Sequence, residues 1–164
     1  MMPQPAIHYQ PFHRPRLVQQ PARIAKDLAR AEELCRANGV RLTPIRRRVL
    51  EALHRARRPV GAYDLADSLA PHGRRIAPIT IYRALDFLIE QGLAHRLASL
   101  NAYIASDHAS KDCGPTAFLI CESCGDVNEA ASPEFSDALS KLQDGLMFTP
   151  SMGILEITGR CAHC

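Results

Sequence analysis

Two Cys-x-x-Cys pairs restrict the fold of this chain more than any other feature of its sequence. Cys121 and Cys124 form one pair, Cys161 and Cys164 form the other, and 36 residues lie between the pairs. Each pair follows an apolar run typical of a strand, in "AFLICESCG" and "ILEITGRCAHC". Four thiolates at the ends of two strands can form a tetrahedron, which is the ligand set of a structural Zn²⁺ site. The sequence therefore predicts a fold that brings the two segments together around a metal.

A thioredoxin-like redox motif is the alternative for a Cys-x-x-Cys pair. That motif opens a helix in a βαβ unit, and two copies at strand ends do not fit it. The six cysteines of a chain in a reducing compartment are more typical of metal ligands than of disulfides. We interpret His163 as a spacer within the second pair, and Cys35 as a core residue.

The first residues of the chain lack the continuous apolar segment of a signal peptide, so we expect a cytoplasmic protein. No apolar run approaches the length of a membrane span, and we expect no membrane partner. The Pro, Gln and Arg content of residues 1–22 predicts a disordered tail.

The net charge differs in sign between the two parts of the chain. Residues 1–105 carry 17 Lys and Arg against 8 Asp and Glu, giving +9, whereas residues 106–164 carry 3 against 9, giving −6. A basic part joined to an acidic part suggests that the first part meets a polyanion such as nucleic acid. Charge scattered over a solvated surface is the alternative explanation.

Helical periodicity dominates residues 23–91, where it predicts four helices, and "LAHRLASLNAYIA" predicts a hairpin after them. The fourth predicted helix places Ile81, Leu85, Leu88 and Ile89 on one buried face. That rotation leaves a group of polar residues on or beside the outer face, in the first turns: Thr80, Tyr82, Arg83 and Asp86. Such a helix resembles the recognition helix of a helix-turn-helix, and the hairpin a wing, so residues 23–105 are predicted to be a winged helix that binds DNA.

The acidic part, residues 117–164, predicts a small β-β-α-β unit. It has few large apolar residues for an independent core. A sheet continued across a two-fold axis would enlarge that core, and a dimer would also present two recognition helices to a palindrome. The predicted fold class is therefore α+β, with an N-terminal winged helix-turn-helix followed by a β-β-α-β dimerisation domain that holds a structural zinc.

These motifs together resemble the ferric uptake regulator family across about residues 24–164. The resemblance rests on motifs that recur in the family's order: "RLTPIRRRVLEAL", "AYDLADSLA", "TIYRALDFLIEQGLAHR", "NAYI", "FLICESCG" and the second Cys pair. Within the family, "YRALDFL" and "AYDL" are most similar to the zinc uptake regulators. Iron-sensing members carry a His-rich run before the first Cys pair, where this chain has "KDCGPTAFLIC".

The resemblance implies a zinc-dependent transcriptional repressor. Such a protein binds double-stranded DNA as a homodimer, at palindromic A/T-rich operators of zinc uptake genes, when a regulatory zinc is present. Tyr63 and Arg83 match DNA-contacting positions of the family. Some relatives join neighbouring dimers through an Asp–Arg pair on the third helix; Asp67 matches the Asp, but Ala70 stands in place of the Arg.

A second, regulatory zinc site is implied by the family on less complete evidence. His95 and Glu129 match family ligands, but Ser106 and Gly114 replace a Cys and a His of the relatives. We expect the neighbouring His108 and Cys113 to supply the missing donors.

His95, His108, Cys113 and Glu129 are also side chains of the types that bind zinc, whatever the resemblance implies. They come from the wing, from the segment 106–116 that we interpret as a hinge, and from the acidic domain. A metal bound to all of them would fix the angle between the two domains. Each residue also has an interpretation that needs no metal. These are a phosphate contact for His95, a solvated loop residue for His108, a packed thiol for Cys113 and a surface carboxylate for Glu129. Asp107 or Asp112 could replace His108 as the ligand.

Two other functions stay open. One is a family member that senses another metal or peroxide. The other is a zinc hydrolase or thiol oxidoreductase, which the absence of an HExxH motif disfavours.

Overall fold

The computed structural model describes residues 21–56, 58–70, 76–107, 115–130, 133–148 and 153–164. Helices precede a hairpin and a mixed sheet, so the predicted α+β class is confirmed. The elements in chain order are α1 (Pro21–Ala37), α2 (Pro44–Ala56), α3 (Ala62–Ser68), α4 (Pro78–Glu90), β1 (Ala94–Leu97), β2 (Ala102–Ala105), β3 (Thr116–Cys121), β4 (Val127–Ala130), α5 (Pro133–Gly145) and β5 (Ile154–Gly159). None of the helices in these ranges has the length and apolar character that a bilayer-spanning helix needs.

The N-terminal module, α1 to β2, is built around the apolar stripes of its four helices. Ile81, Leu85 and Leu88 of α4 are fully buried in one core cluster with Cys35 of α1, as the periodicity predicts. Proline stands at the first position of α2 and α4, where its missing N–H is not needed. Helix α1 begins at Pro21, so two residues that we assigned to the tail are helical. Residues 1–20 of that predicted tail lie outside the described residues.

The hairpin of β1 and β2, which we call the wing, follows α4 after a left-handed glycine, Gly92, with φ of +68°. The strands are antiparallel, with His95 opposite Ile104. Tyr103 exchanges two backbone hydrogen bonds of 2.9 Å with Val60, in the segment before α3. The wing is therefore tied to the helical core.

The C-terminal module, β3 to β5, has the strand order β4-β3-β5. Strand β3 is antiparallel to β4 and parallel to β5, and α5 makes the crossover between the two outer strands. This is the predicted β-β-α-β unit, although β3 starts at Thr116 and includes Cys121. No residue of α5 is buried. The large exposed apolar side chains of this module are Leu142, Leu146, Met147, Phe148, Leu155 and Ile157.

The two modules meet through a second, smaller core cluster. Leu97 of the wing is buried with Phe118 and Ile120 of β3, and Ile104 packs at the edge of the same cluster. The wing therefore lies on the sheet of the C-terminal module, which places β1 next to β4 and β5.

Candidate metal centres and nucleic-acid surface

Four thiols converge where β3 and β5 end, as the Cys pairs predict. The Sγ atoms of Cys121, Cys124, Cys161 and Cys164 all lie within 4.8 Å of one another. Three of the Sγ–Sγ distances are 3.8 Å for Cys121 to Cys164, 3.8 Å for Cys124 to Cys161, and 3.5 Å for Cys161 to Cys164. A tetrahedron with Zn–S bonds of about 2.3 Å has S···S edges of about 3.8 Å. The thiols thus have the spacing of zinc ligands and are too far apart for disulfide bonds.

Sheet pairing and tight turns produce this convergence. The parallel register places Cys121 opposite Gly159, which brings the segment after β5 to the first Cys pair. Gly125, with φ of +71°, closes the turn of that pair by donating its N–H to the Cys121 carbonyl at 2.9 Å. Within the described ranges, these thiols form the one group of three or more Cys, His, Asp or Glu side chains that could hold a metal ion.

The thiols differ in acidity because their surroundings differ. Backbone N–H groups of Cys124 and Cys161 lower the pKa of Cys121 to about 6, and the Cys161 N–H lies 3.4 Å from its sulfur. The side chains of Cys161 and Cys124 raise the pKa of Cys164 to about 12. One thiolate therefore forms readily, and a metal cation is the partner that would stabilise the remaining ones together.

A second candidate centre lies between the modules, at His95 of the wing and Glu129 of β4. Their Nε2 and Oε1 atoms are 3.9 Å apart, which is too far for a hydrogen bond. Among the described residues, the buried His95 Nε2 atom has no hydrogen-bond partner. Burial lowers the pKa of His95, and the Glu129 carboxylate opposes that change. A neutral imidazole nitrogen directed at a carboxylate fits a metal ion, since tetrahedral zinc holds ligand nitrogen and oxygen roughly 3.3 Å apart.

The other two residues expected at this centre, His108 and Cys113, lie outside the described residues. The segment that leads to them passes the site, because the Asp107 N–H donates to Glu129 Oε2 at 2.9 Å. Ser106, which the resemblance places at the position of a family Cys, is buried. The structure thus brings together His95 and Glu129, and the rest of the predicted ligand set stays a prediction.

The residues predicted to contact DNA lie on adjoining surfaces of α3 and α4. Tyr63 is 65% exposed, and its ring meets the edge of Tyr82 with centroids 6.4 Å apart. Arg83 is exposed and Thr80 is half-buried, both within the first two turns of α4. The first turn of α4 contains no acidic residue. This surface suits a polyanion, with an arginine that could form a bidentate bond to guanine.

Two residues that the sequence interpretation did not single out stand next to these sites. Ile79 is 57% exposed in the first turn of α4. Glu156 of β5 accepts hydrogen bonds from the backbone of the wing. Glu156 is a charged residue inside the apolar run "ILEITG", which indicates that it has a polar contact. The run does not show that this contact is with the wing.

Comparison with known proteins agrees with these features. The profile of the ferric uptake regulator family matches residues 37–151. The zinc uptake regulation protein of Escherichia coli is 36% identical over 137 residues, which are 84% of this chain and 80% of that protein. The peroxide operon regulator of Bacillus subtilis is 28% identical over 145 residues, covering 85% of this chain and 94% of that protein.

A solved structure of a zinc uptake regulator complexed with zinc and DNA superimposes with a TM-score of 0.79 at 35% identity. It covers 86% of this chain and 94% of the other. The family profile spans most of the chain, and the E. coli relative is 36% identical over 84% of it. The chain is therefore a member of the ferric uptake regulator family, and it is similar to that family's zinc uptake regulators.

Proposed function

We propose that this protein is a zinc-responsive transcriptional repressor that binds palindromic A/T-rich operators of zinc uptake genes as a dimer. The observation that carries the proposal is the pair His95 and Glu129, which face each other across the contact between the wing and the C-terminal module. A metal bound there would favour one arrangement of the two modules over others, in proportion to its differential affinity for them. Membership of a family of regulators argues against the enzyme alternatives.

The proposal assigns a zinc ion to each of two sites. The four thiols hold a structural zinc, because a closed set of four cysteines leaves no position for a substrate. His95, His108, Cys113 and Glu129 hold the regulatory zinc. We assign residues 23–105 to DNA binding, 106–116 to the hinge and 117–164 to dimerisation, and we place the repressor in the cytoplasm with its DNA.

The exposed apolar side chains of the C-terminal module support a dimer. Leu155 and Ile157 are 42% and 46% exposed on β5, an edge strand of the described sheet. The end of α5 adds Leu142, which is 60% exposed. Leu155 and Ile157 project from one face of β5, and exposed apolar surface of this kind suits an interface. A two-fold axis at this surface would give the repressor two copies of α4 for the two half-sites of a palindrome.

Zinc-dependent operator binding tests the proposal. Fluorescence anisotropy of duplex DNA from the protein's own genomic neighbourhood would be recorded at buffered free zinc, with a protein that carries only its tightly held metal. Affinity should rise steeply with zinc, and His95→Ala, Glu129→Ala and Cys113→Ala should abolish the zinc response. His163→Ala is the matched control, and it should behave as the wild type does. Tight binding that is indifferent to zinc would remove the regulatory site from the proposal.

A sensor of another metal or of peroxide is the second candidate, favoured by the similarity to the peroxide operon regulator. The same titration with Zn²⁺, Fe²⁺ and Mn²⁺ separates the two candidates. A response to Fe²⁺ or Mn²⁺ that hydrogen peroxide abolishes would select the second.

A further inference from the structure

One row of residues crosses the sheet of the C-terminal module beneath the wing. Phe118 of β3 is paired with Glu129 of β4 on one side and with Glu156 of β5 on the other. Paired residues on neighbouring strands project from the same face, so the two glutamates flank Phe118 on outer strands that lie about 10 Å apart. Phe118 is fully buried, and it packs against Leu97 of the wing.

The wing contacts this row along its whole length. At its base, His95 lies beside Phe118, with ring centroids 5.0 Å apart, and faces Glu129. At its tip, Glu156 accepts hydrogen bonds from the Ala98 N–H at 2.7 Å and the Ser99 N–H at 3.1 Å. The Ser99 hydroxyl donates to the same carboxylate. Two acidic residues on outer strands therefore hold opposite ends of the wing.

The contacts of Glu156 with the tip of the wing are direct hydrogen bonds and need no metal, unlike the His95 and Glu129 pair at its base. The Glu156 carboxylate has three donors, and two of them are successive backbone N–H groups of a turn, a strong arrangement for an anion. Burial acts to raise the pKa of Glu156, but hydrogen bonds from Ser99 and Ala98 outweigh it and lower the pKa overall. The residue is thus ionised at neutral pH, and the charge strengthens the bonds.

We propose that Glu156 is a positioning residue, which clasps the tip of the wing to β5 and so holds the two modules in the arrangement that binds DNA. The inference rests on the proposed function. A metal at His95 and Glu129 restrains the base of the wing, and the apolar contact of Leu97 with Phe118 restrains its middle without directional bonds. The clasp restrains the other end, so that zinc binding and DNA binding act on one defined orientation.

Replacement of Glu156 by Gln tests the clasp, with Ser99→Ala as a milder variant and Asp137→Asn as the matched control. Asp137 is an exposed carboxylate of α5, so both acidic replacements remove one negative charge. Loss of a negative charge by itself strengthens binding to DNA. Loss of the clasp has the opposite effect, and the sign of the change therefore separates the two causes.

The hydrogen-exchange rates of the Ala98 and Ser99 amides, measured in the zinc-loaded protein without DNA, report directly on their hydrogen bonds to Glu156. Operator affinity at saturating zinc measures the effect of the clasp on DNA binding. We expect Glu156→Gln to speed exchange and to weaken operator binding, each about tenfold, from the loss of bonds to a charged acceptor. Ser99→Ala should weaken binding about two- to threefold, and Asp137→Asn should bind DNA as tightly as the wild type or more tightly.

Each outcome decides the inference. Unchanged exchange in Glu156→Gln overturns the clasp, and faster exchange with unchanged or tighter DNA binding overturns the positioning role. If Glu156→Gln unfolds, Ser99→Ala decides, because Ser99 is an exposed turn residue whose replacement leaves the cores intact. Wild-type binding that is tight but indifferent to zinc refutes the regulatory site, and the DNA affinity of Glu156→Gln still tests the positioning role. A wild-type protein that does not bind DNA refutes the proposed function and the positioning role, and the exchange rates then test the clasp separately.

Discussion

The metal at the four thiols should contribute a large part of the stability of the C-terminal module. That metal would join Cys121 to Cys161, 40 positions apart, and so close a long loop in the unfolded chain. The chain-entropy relation for a cross-link of this length gives about 4 kcal/mol. Coordination bonds add to this figure. A whole domain is stable by only about 5–15 kcal/mol, so loss of the metal should be severe.

The double substitution Cys161→Ser/Cys164→Ser leaves one Cys pair and removes the cross-link. We expect the free energy of unfolding to fall by about 4 kcal/mol or more, which moves a urea midpoint by about 2 M if the slope is about 2 kcal/mol/M. Urea unfolding by circular dichroism, together with zinc content by mass spectrometry, measures both effects. The protein concentration must be equal throughout, because dimerisation would also shift the midpoint.

His163→Ala is the control for this experiment, since it changes a residue inside the second Cys pair without removing a thiol. It should keep its zinc and its midpoint. The reasoning is refuted if the double variant has lost the zinc and still unfolds at the wild-type urea concentration, because the metal cross-link would then contribute nothing to the stability of the folded chain.

Three further predictions concern other parts of the molecule. Phe118→Ala should cost about 3–5 kcal/mol in chemical unfolding, because the ring is fully buried between the wing and the sheet; Leu142→Ala, at an exposed position, should cost far less in a monomer. Burial lowers the pKa of His54 from its usual 6.5, so the unfolded chain binds its proton at higher pH than the folded chain does. Stability should therefore fall as the pH drops below about 6.5 and level off below the folded pKa, and thermal unfolding of His54→Gln should lack that share of the loss. Arg83→Ala should weaken operator binding by about 1–3 kcal/mol in anisotropy titrations and relax specificity at one base pair, whereas loss of a phosphate contact would weaken all sequences equally.

Local sequence patterns were sufficient for the elements and for the thiol site. The spacing of Ile81, Leu85 and Leu88 predicts one buried helix face, and all three side chains are fully buried. The Cys pairs were equally informative, because four soft ligands after two strands leave few other chemistries. Element ends were less predictable: β3 extends through Cys121, since ladder hydrogen bonds rather than side-chain pattern decide where a strand stops.

Contacts between the modules could not be predicted from the same patterns. His95 and Glu129 were paired by resemblance, and their distance follows from how the wing lies on the sheet. Glu156 was missed for the same reason, because its partners at Ala98 and Ser99 are 58 and 57 positions away. The sheet register that aligns it with Phe118 is a property of the tertiary fold.

The parallel pairing of β3 with β5 also governs when the protein can fold during synthesis. The N-terminal module has most of its partners nearby in the chain and can form early, as domains do when they emerge from the ribosome. Strand β3 must wait for β5, and the first Cys pair must wait for Cys164. The nascent chain therefore passes through a stage with a completed winged helix, an incomplete sheet edge and unpaired thiols. With the zinc that we propose at the four thiols, metal supply and thiol oxidation at that stage would decide whether a nascent chain completes its fold.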